Sequence, residues 1–256
     1  MTALKHLKLA TEKGVARISF ARPKHNVFNI DMMRELNGEL ETLLKDNELK
    51  CIVFQGEGPS FCAGVEVGDH KPELVDDMIS TFNQLTDLIG KFDIPVIAAV
   101  HGACLGGGME VAIACDIVMA SKSAVFGQPE IKLGFIAPYA ATRLPVLVGP
   151  AKAIEVCTSG RRYSALEGQT MGFVSHVAED AEFAEKVDAM IKEIAYCSPL
   201  IIRLNKRAVR ESFGLTPADA VKCSSDLFLN TLMKTEDTLE GIASFEEKRK
   251  PVWKNK

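Results

Sequence analysis

Val15-Ala16-Arg17-Ile18-Ser19-Phe20 alternates apolar and polar positions as a strand does, and Arg22-Pro23 ends it. Met33, Leu36, Leu40 and Leu43 then recur at three- and four-residue spacing, predicting an amphipathic helix capped by Asp31 and running to about Lys45. Cys51-Ile52-Val53-Phe54-Gln55 is a short apolar strand closed by Gly56-Glu57-Gly58-Pro59, and Phe61-Cys62-Ala63-Gly64-Val65 follows as a tight turn of small residues. A second helix is predicted over residues 72–92. The strand Pro95-Val96-Ile97-Ala98-Ala99-Val100 then leads through His101-Gly102 into the triplet Gly106-Gly107-Gly108. The later strands are continuously apolar, as burial on both faces requires. With the order β-α-β-α-β-α, this implies crossover connections and an α/β fold whose largely parallel sheet is covered by helices.

From about residue 181 the pattern turns purely helical, with segments expected at 182–196, 198–213, 217–232 and 235–250. No repeat or low-complexity linker intervenes. The chain is therefore expected to divide, within one compact subunit, into a core of residues 1–195 and a helical segment of residues 196–256. Val209, Leu227, Phe228, Leu229 and Leu232 are more apolar surface than such helices bury among themselves, so they need the core or a neighbouring subunit.

At 256 residues, 47% hydrophobic and 25% charged, the chain can bury a full core, which excludes a disordered or fibrous protein. A formal net charge of -4 opposes bulk attraction to nucleic acid, and the one basic cluster, Lys248-Arg249-Lys250 with Lys254 and Lys256, reads as a solvated tail. The seven cysteines form no C-x-x-C pair and no histidine stands at ligand spacing, so buried thiols in a reducing compartment are expected, and no metal. The start of the chain alternates lysines and leucines without a signal-peptide core, and the apolar runs are far shorter than the roughly 20 residues that span a bilayer. A soluble cytoplasmic protein is the expectation.

Candidate chemistry lies in Cys104-Leu105-Gly106-Gly107-Gly108-Met109-Glu110 and in Phe126-Gly127-Gln128-Pro129-Glu130. Consecutive glycines fit a sharp turn or a backbone that touches a ligand. The apolar run Val111-Ala112-Ile113-Ala114-Cys115 makes them a helix N-terminus, where free N–H groups suit an oxyanion and the dipole favours ionised Glu110. By itself a glutamate there is most often a surface dipole partner. The glycines do not spell G-x-G-x-x-G, which disfavours a nicotinamide cofactor, and no G-x-S-x-G is present for a serine hydrolase.

These segments, with Phe61-Cys62-Ala63-Gly64, Pro95 to Gly102, Cys115-Asp116-Ile117 and Phe245-Glu246-Glu247-Lys248-Arg249, resemble in order and spacing the enoyl-CoA hydratase/isomerase, or crotonase, superfamily. The resemblance spans nearly the whole chain. It implies a spiral of ββα units, a helical C-terminal oligomerisation segment, trimers that often pair into hexamers, acyl-CoA thioester substrates, and no cofactor beyond the coenzyme A of the substrate. By position it implies an oxyanion hole from the backbone N–H groups of Val65 and Gly107, with the Val65 side chain incidental. It implies Glu110 and Glu130 as catalytic residues holding one water. Glu130 would transfer the proton to carbon and Glu110 would deprotonate water, a division the sequence itself leaves open. Two carboxylates in one small site repel, so one pKa should rise. Around the substrate the resemblance implies Lys24, His25, Ala63, His70 and Tyr139, with Phe245 and Lys248 reaching the CoA nucleotide of an adjacent subunit. From the residues alone, His70 reads equally as surface and Tyr139 equally as core.

Two segments depart from the common hydratase pattern: Gly64-Val65-Glu66-Val67-Gly68-Asp69-His70, and Phe135-Ile136-Ala137-Pro138-Tyr139-Ala140-Ala141-Thr142 where hydratases carry glycines. Both are similar to the alicyclic dienoyl-CoA hydratases of anaerobic aromatic degradation, which implies cyclohexa-1,5-diene-1-carbonyl-CoA as substrate. Two alternatives stand beside hydration. One is an enoyl-CoA or dienoyl-CoA isomerase, needing one acid/base group and no activated water. The other is a non-enzymatic RNA-associated member, which the net charge opposes.

Overall fold

The computed structural model describes residues 4–256, so residues 1–3 of the expected core lie outside it. Strand β1 (Leu7–Glu12) turns through Lys13 and Gly14, both at positive φ, into β2 (Val15–Phe20), a two-residue hairpin suited to the strand twist. Helix α1 (Ile30–Leu43) precedes β3 (Cys51–Gly56), and α2 (Val75–Lys91) precedes β4 (Val96–Val100). Next come β5 (Ala103–Leu105), α3 (Gly107–Ala114), β6 (Ile117–Ser121) and β7 (Val125–Gly127). Helices α4 (Pro138–Val148) and α5 (Pro150–Ser159), β8 (Arg162–Ser164), α6 (Ala165–Met171) and β9 (His176–Ala178) follow. The chain finishes with α7 (Phe183–Ala195), α8 (Pro199–Ser212), α9 (Pro217–Asn230) and α10 (Glu236–Glu246).

Six strands form the main sheet in the order β1-β2-β3-β4-β6-β9, parallel from β2 onward and antiparallel only at β1. Side chains alternate across it. Ile52, Phe54, Ala98 and Val100 face the core under α1 to α3, while Cys51, Val53, Ile97 and Ala99 pack against Val187 and Ile191 of α7. Both faces are thus dry, which is why these strands read as unbroken apolar runs. A smaller sheet, β5-β7-β8, pairs β5 parallel with β7.

Two boundary shifts have a visible cause. The cap of α1 is Asn29, whose Oδ1 accepts the Met32 N–H at 3.1 Å, while Asp31 sits in the first turn against the dipole. The last helix ends at Glu246 instead of reaching residue 250, where Arg249 folds back to bond Glu240 and Glu247. Ser198, Thr216 and Thr235 cap α8, α9 and α10, each accepting a backbone N–H. Lys206 ties α8 to the core, donating to the Asp116 carboxylate at 2.6 Å and to the Ile94 carbonyl at 2.9 Å.

Candidate active site

Three backbone pairings bring the motifs together. The Cys62 N–H donates to Ala103 O at 3.1 Å and the Leu105 N–H to Cys62 O at 3.0 Å, so the 61–65 turn runs beside β5. Phe28 N–H to Gly64 O and Glu66 N–H to Phe28 O then lock the turn on its other side, at 2.9 and 2.7 Å. Finally the Gly106 N–H donates to Gly127 O at 2.9 Å, extending the β5–β7 pairing and laying the 3₁₀ turn Pro129–Leu133, which carries Glu130, beside the glycine triplet.

The triplet has to be glycine at two points. Gly106 has φ 52°, and a Cβ there would stand 3.3 Å from Glu130 Oε2; a Cβ on Gly108 would stand 2.3 Å from the Cys62 carbonyl oxygen. Gly107 opens α3 and faces Val65 closely: a Cβ on it would fall 2.5 Å from Val65 Cγ2. Among the described residues neither the Val65 nor the Gly107 N–H has a protein acceptor. Two backbone donors without a protein acceptor thus belong to residues that line one cavity.

Glu110 lies in the first turn of α3 and is only 4% exposed. Its Oε1 accepts the Ala140 N–H at 2.8 Å, one of the N–H groups that the first turn of α4 leaves without a helical partner. Burial pushes its pKa up to about 7; the N–H groups of Ala140 and Tyr139 pull it down and the Glu130 charge adds to the rise. Glu130 is also raised, again by burial. The expected rise thus comes first from desolvation and only secondarily from repulsion between the pair.

Ala63, Val65, His70, Gly107, Glu110 and Glu130 all line one cavity of about 620 Å³. Five other expected site residues do not. Lys24 and His25 are exposed beside the turn, His25 accepting the Ala63 N–H through its carbonyl at 2.9 Å. Tyr139 packs against the core, and Pro138 is the neighbour that lines the cavity. Phe245, 86% exposed, and Lys248 lie on and just past α10, away from the cavity of their own chain.

The enoyl-CoA hydratase/isomerase family model matches residues 10–256. The chain belongs to that family. A protein of Dictyostelium discoideum named probable enoyl-CoA hydratase, mitochondrial, is 36% identical, with 96% of this chain and 90% of that protein covered. The cyclohexa-1,5-dienecarbonyl-CoA hydratase of Thauera aromatica is 34% identical over 97% of this chain and 96% of its own length. Among solved structures, an enoyl-CoA hydratase from Bacillus anthracis superposes with a TM-score of 0.92 at 28% identity, covering 98% of this chain and all of that one. The fold is accordingly the crotonase fold, and the chain is an enzyme of the hydratase type.

Two site features of this family member escape sequence reasoning. Gln128, fully buried, faces the Glu130 carboxylate, although its place inside the Phe126 to Glu130 motif was a signal. The apolar cavity wall from α2, Val75, Met78, Ile79 and Phe82, carries no motif at all. Among the described residues no three His, Cys, Asp or Glu side chains cluster as metal ligands, and no helix is long and apolar enough to cross a membrane.

Proposed function

We propose that this enzyme adds water across the carbon–carbon double bond of an α,β-unsaturated acyl-CoA thioester, or removes it in reverse. The observation that carries the reading is the convergence of Glu110, Glu130 and two unpartnered backbone N–H groups on one cavity. The thioester oxygen accepts from Val65 and Gly107, which stabilise the enolate as its charge develops. A water between the carboxylates loses a proton to one of them as its oxygen bonds to the β carbon. The electron pair of the double bond passes to the α carbon and the oxyanion, and a proton returns to the α carbon from the other carboxyl. Two acids and a water suit hydration, whereas an isomerase needs one proton carrier. Following the resemblance, Glu130 serves the carbon and Glu110 the water.

The substrate we favour is a cyclic conjugated dienoyl-CoA. Support comes from the relative in Thauera aromatica and from the largely apolar wall, which includes Pro138. A planar ring has little freedom to lose on binding. We further propose a trimer, alone or paired, assembled through the helical segment of residues 196–256 in a cytoplasmic protein without a separate cofactor or nucleic-acid partner. Val209 and Phe213, each 72% exposed, border a groove of about 900 Å³ between the core and α8, and exposed Phe245 and Lys248 would reach a neighbour's CoA.

The test is kcat/KM for cyclohexa-1,5-diene-1-carbonyl-CoA and crotonyl-CoA under anaerobic conditions, with product mass read for one added water. A tenfold preference for crotonyl-CoA, about 1.4 kcal/mol, would reject the cyclic substrate and leave hydration standing. No water added to either thioester would reject hydration.

A further inference from the structure

The 3₁₀ turn Val67–His70 sets one polar group into an apolar wall. The wall around it is built by Val67, Val75, Met78, Ile79, Phe82 and Ile136. The acids of the turn are engaged elsewhere: Glu66 pairs with Arg22 at 2.9 Å, and Asp69 accepts the Ile30 N–H at 2.9 Å. The two other polar side chains lining this part of the cavity, Asn83 and Lys132, are exposed to water.

His70 is held in two ways. Its ring stacks on Phe135, with centroids 4.7 Å apart and planes 25° from parallel. Its Nδ1 lies 3.0 Å from the Glu66 carbonyl oxygen. A carbonyl only accepts, so Nδ1 carries the hydrogen, and in the neutral ring Nε2 is left as a bare acceptor on the opposite edge. Among the described residues Nε2 has no protein hydrogen-bond partner and stays open to water. The stack holds the ring plane, and the Nδ1 hydrogen bond fixes which edge Nε2 occupies.

The geometry points to His70 as a specificity residue for an acyl group that carries a hydroxyl away from the thioester, its Nε2 accepting the hydroxyl hydrogen. This rests on the acyl-CoA hydratase reading and adds a preference within it: of two thioesters that share a carbon skeleton, open or cyclic, the one that carries such a hydroxyl is favoured. The turn starts two residues past Val65, and its four residues at about 2 Å rise cover about 8 Å. His70 ends the turn and lines the cavity that Val65 also lines, so the group it meets belongs to the acyl portion of the thioester. A half-buried acceptor presented to the acyl group favours the hydroxylated thioester over the analogue lacking the hydroxyl, because only the former completes the hydrogen bond.

The experiment compares trans-hex-2-enoyl-CoA with its 5-hydroxy derivative as substrates of the wild type, His70→Leu and His70→Gln. The wild type is expected to favour the hydroxylated thioester by about tenfold in kcat/KM. That ratio should fall toward one in His70→Leu and be partly retained in His70→Gln, whose amide oxygen still accepts. A wild type indifferent to the hydroxyl overturns the inference without recourse to any variant, as does a His70→Leu that slows both substrates alike with the ratio intact. Hydration of both thioesters at equal rates leaves the hydratase reading in place while removing His70 from selection. Hydration of neither removes both.

Discussion

With its nitrogen turned toward Glu130, the Gln128 side-chain amide donates to both carboxylate oxygens, at 2.7 Å to Oε1 and 3.2 Å to Oε2. Such donation favours the charged form and opposes the burial that raises the Glu130 pKa. Gln128→Leu should therefore move one limb of the pH–rate profile, the one Glu130 governs, upward by about one unit, since a hydrogen bond to a charged group contributes roughly 1.5 kcal/mol or more. A variant with lowered stability and an unmoved profile would reduce Gln128 to packing.

Glu110→Gln and Glu130→Gln should each lower kcat by about 10² or more and change KM little, because proton transfer and water positioning are expressed mainly in the transition state. Steady-state kinetics on whichever thioester is hydrated decides this. Either variant keeping more than about a tenth of wild-type kcat would refute a two-carboxylate mechanism.

Glu110 also couples stability to pH. Its folded-state pKa of about 7 lies above the ordinary value of 4.5, so the folded protein holds this proton more tightly than the unfolded chain does. The resulting stabilisation is complete below pH 4.5 and is lost as pH rises through 7. Glu110→Gln lacks this term. Urea unfolding at pH 5 and pH 8 should show the variant gaining on the wild type at the higher pH by about 3 kcal/mol, and a difference that does not vary with pH would contradict a neutral buried Glu110.

How much of this can be read from the chain depends on element length and on what each residue touches. Strands β2, β3 and β4 are five or six residues long and register as apolar segments, whereas β5, β7, β8 and β9 have three residues each, too few to display a period. β1 alternates only weakly, and its pairing with β2 is what identifies it. Glu110 and Glu130 are legible because each sits in a distinctive glycine-bearing motif. Asn29 loses to Asp31 on sequence, since either residue type caps well and only the Met32 N–H decides. Tyr139 has no sequence signal for which side of α4 it occupies.

If the oxyanion donors are backbone groups, side chains near them should act only by crowding. Gly107→Ala puts a methyl 2.5 Å from Val65 Cγ2 and 3.1 Å from Phe82 Cε2, and should lower kcat by about 10², comparable with the loss of one oxyanion donor. Val65→Ala should lose far less, and the double variant should recover part of the Gly107→Ala defect. A Val65→Ala defect as deep as that of Gly107→Ala would assign the valine side chain a role of its own.

Lys248→Ala should raise KM for the CoA thioester and spare kcat, since a cation beside the nucleotide contributes uniform binding. Sedimentation of the same sample checks that assembly is intact. An unchanged KM would remove Lys248 from the CoA site.

The hydrogen bond from Gly106 to Gly127 carries a consequence for how this enzyme can diverge. The spacing between the two acids is written in main-chain register, where side-chain substitutions scarcely reach it. The chamber wall is written in the side chains of α2 and of residues 133–138, which no such pairing constrains. Reaction and appetite are thus inherited separately: the wall can be rebuilt for a new acyl group while the acids keep their separation, but a one-residue insertion between Cys104 and Glu110 would misalign them for every substrate at once.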